Sequence, residues 1–280
     1  MKEISDNVLI ETSLSGVTVG VIKTPKGVVF IDSPLTPKDV QSWRTVAMKN
    51  NGGHNRVQVL LDEHFDRTTC SLPIKIPVIA HNSTCKSIQN RPSNFRLPPS
   101  NTGSAWELYP EIGPMQWIIP EISFTSTMNL EWEDGIAKLE HHPGPSKGGI
   151  WVIIPHQKIV FVGDAVLVKE PPFLENANIQ QWIENLELLR STTYKDFKII
   201  SGRNGIVESG DIQDQIKLLN QIKKRLDRYA PKGMDSAQTE KIIASYIDNF
   251  PTRTKKMREH FESRLRWGIQ QYFNRNIRQK

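Results

Sequence analysis

Short runs of β-branched and aliphatic residues, separated by glycine, proline or polar residues, dominate the N-terminal part of the chain. Runs of this length with turn residues at both ends are typical of β-strands. They predict strands over Val8–Thr12, Val17–Lys23, Val28–Asp32, Val57–Leu61 and Pro77–Ala80. A helix is expected to begin near Thr36 and Pro37, because proline is tolerated at the first helical position.

The same pattern returns in the second half of the chain. It predicts strands over Ile122–Leu130, Ile136–Glu140, Ile150–Ile154, Lys158–Val162 and Lys198–Ser201. Apolar residues recur with helical spacing from Ile179 to Leu189, so a helix is expected over Asn178–Arg190. Groups of strands thus alternate with helices, as in an α/β protein.

The segment from Arg91 to Pro120 interrupts this pattern. Prolines stand at positions 92, 98, 99, 110, 114 and 120, so regular helix is not expected there. The aromatic residues of the segment are Phe95, Trp106, Tyr109 and Trp117. Two interpretations stay open: the aromatic side chains form a lid over a pocket, or they cover the core from outside.

Length and composition favour one domain of about 200 residues with an appendage. The chain has 280 residues, of which 38% are hydrophobic. The residues from Met1 to Asp6 lack the apolar region of a signal peptide, and no stretch reaches about 18 apolar residues. Cys70 and Cys85 are too few for a disulfide framework, and we assign them no catalytic role. We therefore expect a cytoplasmic protein without a membrane partner.

Residues 209–280 have the pattern of amphipathic helices and form a basic extension to a domain spanning 1–208. From Ile216 to Lys280 there are 16 Lys and Arg against 6 Asp and Glu, a balance of +10 in a chain whose total is +6. Such a concentration can bind nucleic acid by counterion release, but cations on outer helix faces are usually just solvated. The apolar stripes need a partner, either the first domain or a second copy in a homodimer.

Polar motifs stand where predicted strands end. In chain order they are Asp62-Glu63-His64-Phe65-Asp66-Arg67, His142-Pro143-Gly144-Pro145-Ser146, Gly163-Asp164 and Ser201-Gly202-Arg203-Asn204-Gly205. Their order resembles the metallo-β-lactamase superfamily, whose first metal motif is His-x-His-x-Asp-His at the end of a strand. The resemblance covers about residues 8–208. It implies a four-layer αββα sandwich, here followed by the helical extension.

Aligned on the first motif, His64 and Asp66 match the family, whereas Asp62 takes the place of the first histidine and Arg67 that of the last. Among the later ligands, only Asp164 matches, at the position of the bridging aspartate. Proline takes the place of the histidine in the Pro-Gly-His-Ser-x-Gly loop, and Arg203 takes the place of the last histidine. A guanidinium group stays charged and has no lone pair to offer, so arginine cannot coordinate zinc.

We therefore expect Arg67 and Arg203 to occupy the second metal position and to form charge-assisted hydrogen bonds with Asp66 and Asp164. Buried aspartates without a cation would be destabilising, and two arginines facing them would balance the charge. In the alternative interpretation, both arginines point to solvent and the aspartates are ordinary residues at strand ends.

Three functions follow from these motifs. The first is a protein without dinuclear zinc chemistry that binds a small anion in this pocket or acts as a scaffold, with no cofactor. The second is a mononuclear hydrolase of an ester, thioester, amide or phosphodiester, in which Asp62, His64, Asp164 and His142 are the candidate ligands and Asp66 orients the water. The third is nucleic-acid binding through the basic extension.

Overall fold

Two β-sheets form the centre of the molecule. The structure is a computed structural model that describes residues 1–48, 53–70, 75–91, 101–109, 116–132, 136–229 and 233–276. In spatial order, the strands of the first sheet are β1 (Lys2–Ser5), β2 (Val8–Glu11), β3 (Val19–Thr24), β4 (Gly27–Ile31), β5 (Asn55–Val59), β7 (Val78–His81) and β9 (Ile122–Phe124). Neighbouring strands are antiparallel from β1 to β4 and parallel from β4 to β9.

The second sheet is mostly antiparallel. In spatial order it contains β10 (Thr127–Leu130), β11 (Ala137–His141), β12 (Ile150–Ile154), β13 (Ile159–Gly163), β14 (Lys198–Ser201) and β15 (Gly205–Val207). Only β13 and β14 run parallel, because the chain crosses over between them through a helix. A separate two-stranded ribbon pairs β6 (Thr69–Cys70) with β8 (Gln116–Trp117).

Helices cover the outer faces of both sheets. They are α1 (Pro37–Met48), α2 (Phe65–Thr68), α3 (Asn82–Gln89), α4 (Ile179–Leu189), α5 (Ser209–Tyr229), α6 (Ser236–Tyr246) and α7 (Lys255–Asn276). Short 3₁₀ turns lie at Ala105–Leu108, Pro155–Gln157 and Ile247–Asn249. None of the helices in the described residues combines the length and apolar character that a membrane crossing needs.

The central strands are continuous apolar runs, and because successive side chains point to opposite faces, each sheet has two buried faces. Between the sheets, Val29 and Val59 from the first share a cluster with Leu139, Val152 and Phe161 from the second. On the outer face of the first sheet, Trp43 of α1 packs against Phe30, with ring centroids 4.9 Å apart. The outer face of the second sheet packs against α4 and α5. These layers confirm the predicted αββα sandwich with a helical C-terminal extension.

The C-terminal helices bury their apolar stripes within the same chain. Ile212, Leu219, Ile242 and Leu265 lie in the cluster that includes Trp182 of α4. The first domain is therefore a partner for these stripes, and the homodimer stays a prediction. Several cations of the extension form ion pairs inside it, among them Arg266 with Glu240, Arg258 with Asp248 and Lys223 with Asp227.

The prediction of one strand over Ile122–Leu130 is wrong. β9 ends at Phe124 in the first sheet, and β10 begins at Thr127 in the second. The chain changes sheet at this point, where the carbonyl of Thr125 contacts the Nε2 atom of His81 and that of Ser126 accepts from the amide of His141. Alternation alone does not reveal such a crossing, because both strands keep the same inward periodicity.

The described aromatics of the proline-rich segment pack in a cluster at the side of the sandwich. Phe65 contacts both Trp106 and Trp117, with ring centroids 5.4 and 5.3 Å apart. Leu35 and Tyr109 complete the cluster. This arrangement agrees with a cover over the core. Phe95 and the prolines at 92, 98, 99, 110 and 114 lie outside the described residues.

Candidate functional site

The strand ends that carry the motifs meet at one edge of the sandwich. β5 leads through Leu61 to Asp62, and β13 ends one residue before Asp164. β14 pairs in parallel with β13 and leads to Arg203. The amide of Ile150 donates to the carbonyl of Leu61 at 2.9 Å, which joins the two sheets beside the first motif. The fold thus brings together residues from three distant parts of the sequence.

The first motif bends into the short helix α2. His64 is the residue that caps α2: its Nδ1 atom accepts from the amide of Asp66 at 3.2 Å. Asp62 accepts from the amide of His64 at 2.8 Å. The carboxylate of Asp66 accepts from the amides of Ala105 and Trp106 at 2.9 and 3.0 Å. These two backbone hydrogen bonds fix the orientation of the carboxylate independently of any side chain.

Arg203 lies at the centre of the site, and its side chain is 3% exposed. Its Nε and Nη2 atoms donate to the two oxygens of Asp164 at 2.9 and 3.1 Å, a bidentate pair. Its Nη1 atom donates to Asp66 at 2.9 Å and to the carbonyl of Gly16 at 3.0 Å. The second hydrogen of Nη2 points to Nδ1 of His64 at 3.3 Å. All five N–H groups of the guanidinium therefore have protein acceptors.

Arg67 lies behind Arg203 and is fully buried. Its guanidinium contacts Asp164, and it lies 3.3 Å from both Asp32 and Asp62. Only the contact with Asp32 has hydrogen-bond geometry, so the other two are ion pairs. A Cβ atom at Gly202 would overlap Nη1 of Arg67, so glycine at this turn provides the space for the guanidinium.

We call Asp32, Asp62, Asp66, Arg67, Asp164 and Arg203 the arginine–aspartate cluster. Arg203 pairs with both Asp66 and Asp164, whereas Arg67 pairs with Asp164, Asp32 and Asp62 and not with Asp66. Asp32 was missing from the expected site. It directly follows β4, and only the folded chain brings it to Arg67.

The cluster contains more acids than its two arginines can balance. With four aspartates and two guanidinium groups, full ionisation would leave a charge of −2 in a buried space. Burial raises the pKa of Asp32 to about 7 despite the opposing effect of Arg67. Burial likewise raises the pKa of Asp62 to about 6. Burial therefore favours the protonated forms of Asp32 and Asp62, which reduces the excess negative charge of the cluster.

The two aspartates that contact Arg203 behave differently. Burial alone would raise the pKa of Asp164, but Arg203 and Arg67 outweigh it and hold that pKa well below its usual range. Burial would also raise the pKa of Asp66, but Arg203 and two backbone amides outweigh it and lower that pKa. Both are carboxylates at neutral pH and accept all the hydrogen bonds that reach them.

His64 is neutral in this environment. Burial lowers the pKa of its imidazole to about 3, and Arg203 acts in the same direction. Because Nδ1 accepts hydrogen bonds, the ring proton is on Nε2. Phe173 packs edge-on against the imidazole at 4.4 Å, and its ring also lies 4.4 Å from the guanidinium carbon of Arg203. Phe173 belongs to the loop after Asp164 and had no signal in the sequence.

Of the four candidate ligands of a single metal, Asp62, His64 and Asp164 lie at the same edge of the sandwich, but His142 does not join them. His142 stacks on Trp151 at 3.7 Å, and its ring nitrogens contact Asn185 and Glu140. It therefore does not join Asp62, His64 and Asp164, contrary to the set proposed from the sequence. Those three residues direct their lone pairs at arginines or backbone amides. Across the described residues, no group of three His, Cys, Asp or Glu side chains is arranged to hold a metal ion.

Comparison with known proteins agrees with this fold. Residues 74–199 match the family model of the metallo-beta-lactamase superfamily, a range that includes Asp164 but neither the first motif nor Arg203. No curated protein sequence matches the chain.

Solved structures of metallo-β-lactamases are similar in fold. DIM-1 metallo-β-lactamase exposed to ceftazidime has a TM-score of 0.57 and 17% identity, covering 79% of this chain and 95% of that chain. VMB-1 has a TM-score of 0.56 and 19% identity, with 79% and 95% coverage. A metallo-β-lactamase from Pontibacter korlensis has a TM-score of 0.55 and 18% identity, with 78% and 97% coverage. Such identities show a shared fold and not a shared activity. The family model over residues 74–199 and the solved structures together show that this chain has a metallo-β-lactamase-like fold.

Proposed function

We propose that this chain is a non-hydrolytic member of the superfamily, in which the guanidinium groups of Arg67 and Arg203 take the place of the metal ions and the protein binds a small anion or acts as a scaffold. One observation carries the proposal: every N–H group of Arg203 is bonded to a neighbouring acceptor in the pocket that aligns with the family's metal site. The guanidinium is therefore part of the folded site and not a mobile side chain.

Electrostatics support the replacement of metal. A divalent cation about 5 Å from one guanidinium would meet a repulsion on the order of 6 kcal/mol at an effective dielectric of about 20. Asp164 contacts both arginines and is the residue that matches the bridging aspartate. A metal could reach this carboxylate only if both guanidinium groups moved away, which would leave other buried aspartates without a cation.

The cluster itself has no accessible donor for an added anion. The donors of Arg203 are saturated, and Arg67 has no contact with solvent. Any anion must therefore bind beside the cluster and not in it, in contrast to the pocket expected from the sequence. The scaffold function needs no such site.

Metal analysis tests this proposal. Protein purified without chelator and dialysed should contain far less than one transition metal per chain, and a stoichiometric metal that resists dialysis would overturn the proposal. The double variant Arg67→His with Arg203→His should gain zinc, because it places imidazoles at two ligand positions of the family.

Arg264→His is the matched control for that variant. It also places a histidine beside Phe173, because the guanidinium of Arg264 lies 4.1 Å from that ring, but it lies at no ligand position. We expect no zinc in this variant. Equal zinc in both variants, or none in the double variant, would contradict the assignment of Arg67 and Arg203 to metal positions.

A further inference from the structure

A cavity of about 410 Å³ lies beside the arginine–aspartate cluster. Arg203 and Gly16 line it on the cluster side, and Met257, His260, Phe261 and Arg264 line it from α7. We call it the α7 cavity. Its volume is in the range of sites for small molecules, about 300–1,000 Å³. It is formed by the sandwich and the C-terminal extension together.

One wall of the α7 cavity is apolar. Ala105 and Leu108 face it from the 3₁₀ turn whose first amide donates to Asp66. Met257 and Phe261 face it from α7. Such a wall favours an apolar group over a fully hydrated ion, because contact with it removes apolar surface from water.

The charged residues around the α7 cavity are mostly cationic. Lys169 and Arg253 line it, are exposed, and form no ion pair within the described part of the chain. Glu170 is the only acid among the described lining residues, and its two oxygens accept from Asn204 and Arg264 at 3.0 and 3.1 Å. The cavity therefore offers two cations without partners and no acid without one.

His260 is the second observation that indicates a ligand. It lines the α7 cavity and is 7% exposed, yet its Nε2 atom has no hydrogen-bond partner among the described residues. Its Nδ1 atom lies 3.8 Å from Glu107, whose oxygens accept from Thr102 and Gly103. A buried polar atom without a partner costs about 1–3 kcal/mol. A ligand that bonds to Nε2 would remove this cost.

We infer that the α7 cavity binds a small organic anion with an apolar body, such as an aryl or alkyl carboxylate, whose charged end meets Lys169, Arg253 and His260. This inference deepens the proposed function, because it gives the anion a site outside the saturated cluster. The apolar body packs against Leu108, Met257 and Phe261. A phosphate or sulfate alone would leave this wall without a partner.

Isothermal titration calorimetry with 3-phenylpropanoate tests the inference on the full chain. We expect a Kd below about 1 mM, with 3-phenylpropan-1-ol and propanoate each weaker by about tenfold or more, since each lacks one half of the recognised chemistry. Equal affinity for the alcohol, equal affinity for propanoate, or no saturable binding of the carboxylate would overturn the inference.

Variants locate the site. Lys169→Gln with Arg253→Gln should weaken 3-phenylpropanoate by about tenfold, whereas Lys224→Gln with Lys241→Gln, which removes the same charge from exposed positions outside the cavity, should change it by less than about twofold. An equal loss in both double variants would contradict the site.

Substitution of His260 by uncharged residues provides a second test of the site. His260→Phe should weaken binding of 3-phenylpropanoate, and His260→Gln, which keeps an N–H donor, should weaken it less. Unchanged affinity in both variants would remove His260 from the site. Metal content is measured on the same samples: a stoichiometric metal with intact carboxylate binding refutes the proposed function alone, and absent metal with absent binding refutes the α7 cavity alone.

Discussion

Asp32 gives the sharpest test of the charge distribution in the arginine–aspartate cluster. Burial raises the pKa of its carboxyl from 3.8 to about 7 in the folded chain. Between about pH 4 and 7 the folded state therefore holds a proton that the unfolded state has released. The stabilising contribution of this proton is fully present below about pH 4 and is lost as pH rises through 7. A shift of about 3 pH units corresponds to about 4 kcal/mol.

The total stability curve does not show this effect by itself. Burial lowers the pKa of His64 to about 3, so the unfolded state holds the histidine proton up to about pH 6.5 and stability rises with pH over that range. The two slopes have opposite signs between about pH 4 and 6.5. Comparison with Asp32→Asn isolates the aspartate, because the variant removes one titration and keeps the other.

Urea unfolding of the wild type and of Asp32→Asn at several pH values between 4 and 8.5 measures the difference. We expect the wild type to lose about 4 kcal/mol relative to the variant across this range. Asp196→Asn is the control, because Asp196 is exposed and its pKa is lowered by Lys158, so its difference from the wild type should be constant above pH 5. Parallel stability curves for the wild type and Asp32→Asn would refute the raised pKa of Asp32.

Two further substitutions test the packing around the guanidinium groups. Gly202→Ala should lower the free energy of unfolding by about 1–3 kcal/mol, since its Cβ would overlap Arg67, whereas Gly210→Ala, which meets open space, should not lower it. Arg203→Gln should cost about 3–5 kcal/mol in urea unfolding, because it leaves the Asp164 carboxylate with fewer donors. Arg203→Lys should recover less than half of that loss, since one ammonium cannot reach five acceptors, and full recovery would show that only the charge matters.

Local patterns predicted most of the strands because burial and periodicity coincide in them. Lys198–Ser201 was predicted with the bounds that β14 has, and the hairpin of β12 and β13 was recognised from two apolar runs around a polar turn. The helix α3 was missed, because its sequence, Asn82–Gln89, is short and mostly polar. Its start depends on His81, whose Nδ1 atom accepts from the amide of Ser83, and histidine is not a usual signal for a cap.

The site was predictable as far as the ends of strands define it. Asp164 and Arg203 follow neighbouring parallel strands, so their proximity follows from the fold. The partners of each guanidinium could not be assigned, since they depend on loops far away in sequence. Gly16, which supplies a carbonyl to Arg203, and His260, which lines the α7 cavity, have no local pattern that marks them.

The acceptors of Arg203 explain how a guanidinium can replace a metal in structure but not in chemistry. They come from the loop at Gly16, from the first motif and from the end of β13, so one side chain joins segments of both sheets. A metal ion at this edge would join protein segments in a similar way through its ligands. A catalytic metal ion also keeps an open position at which it can polarise water, whereas a saturated guanidinium has neither an empty coordination position nor a spare donor. On the proposed function, the site therefore retains the cross-link between segments, and the capacity to bind a ligand lies in the adjacent α7 cavity.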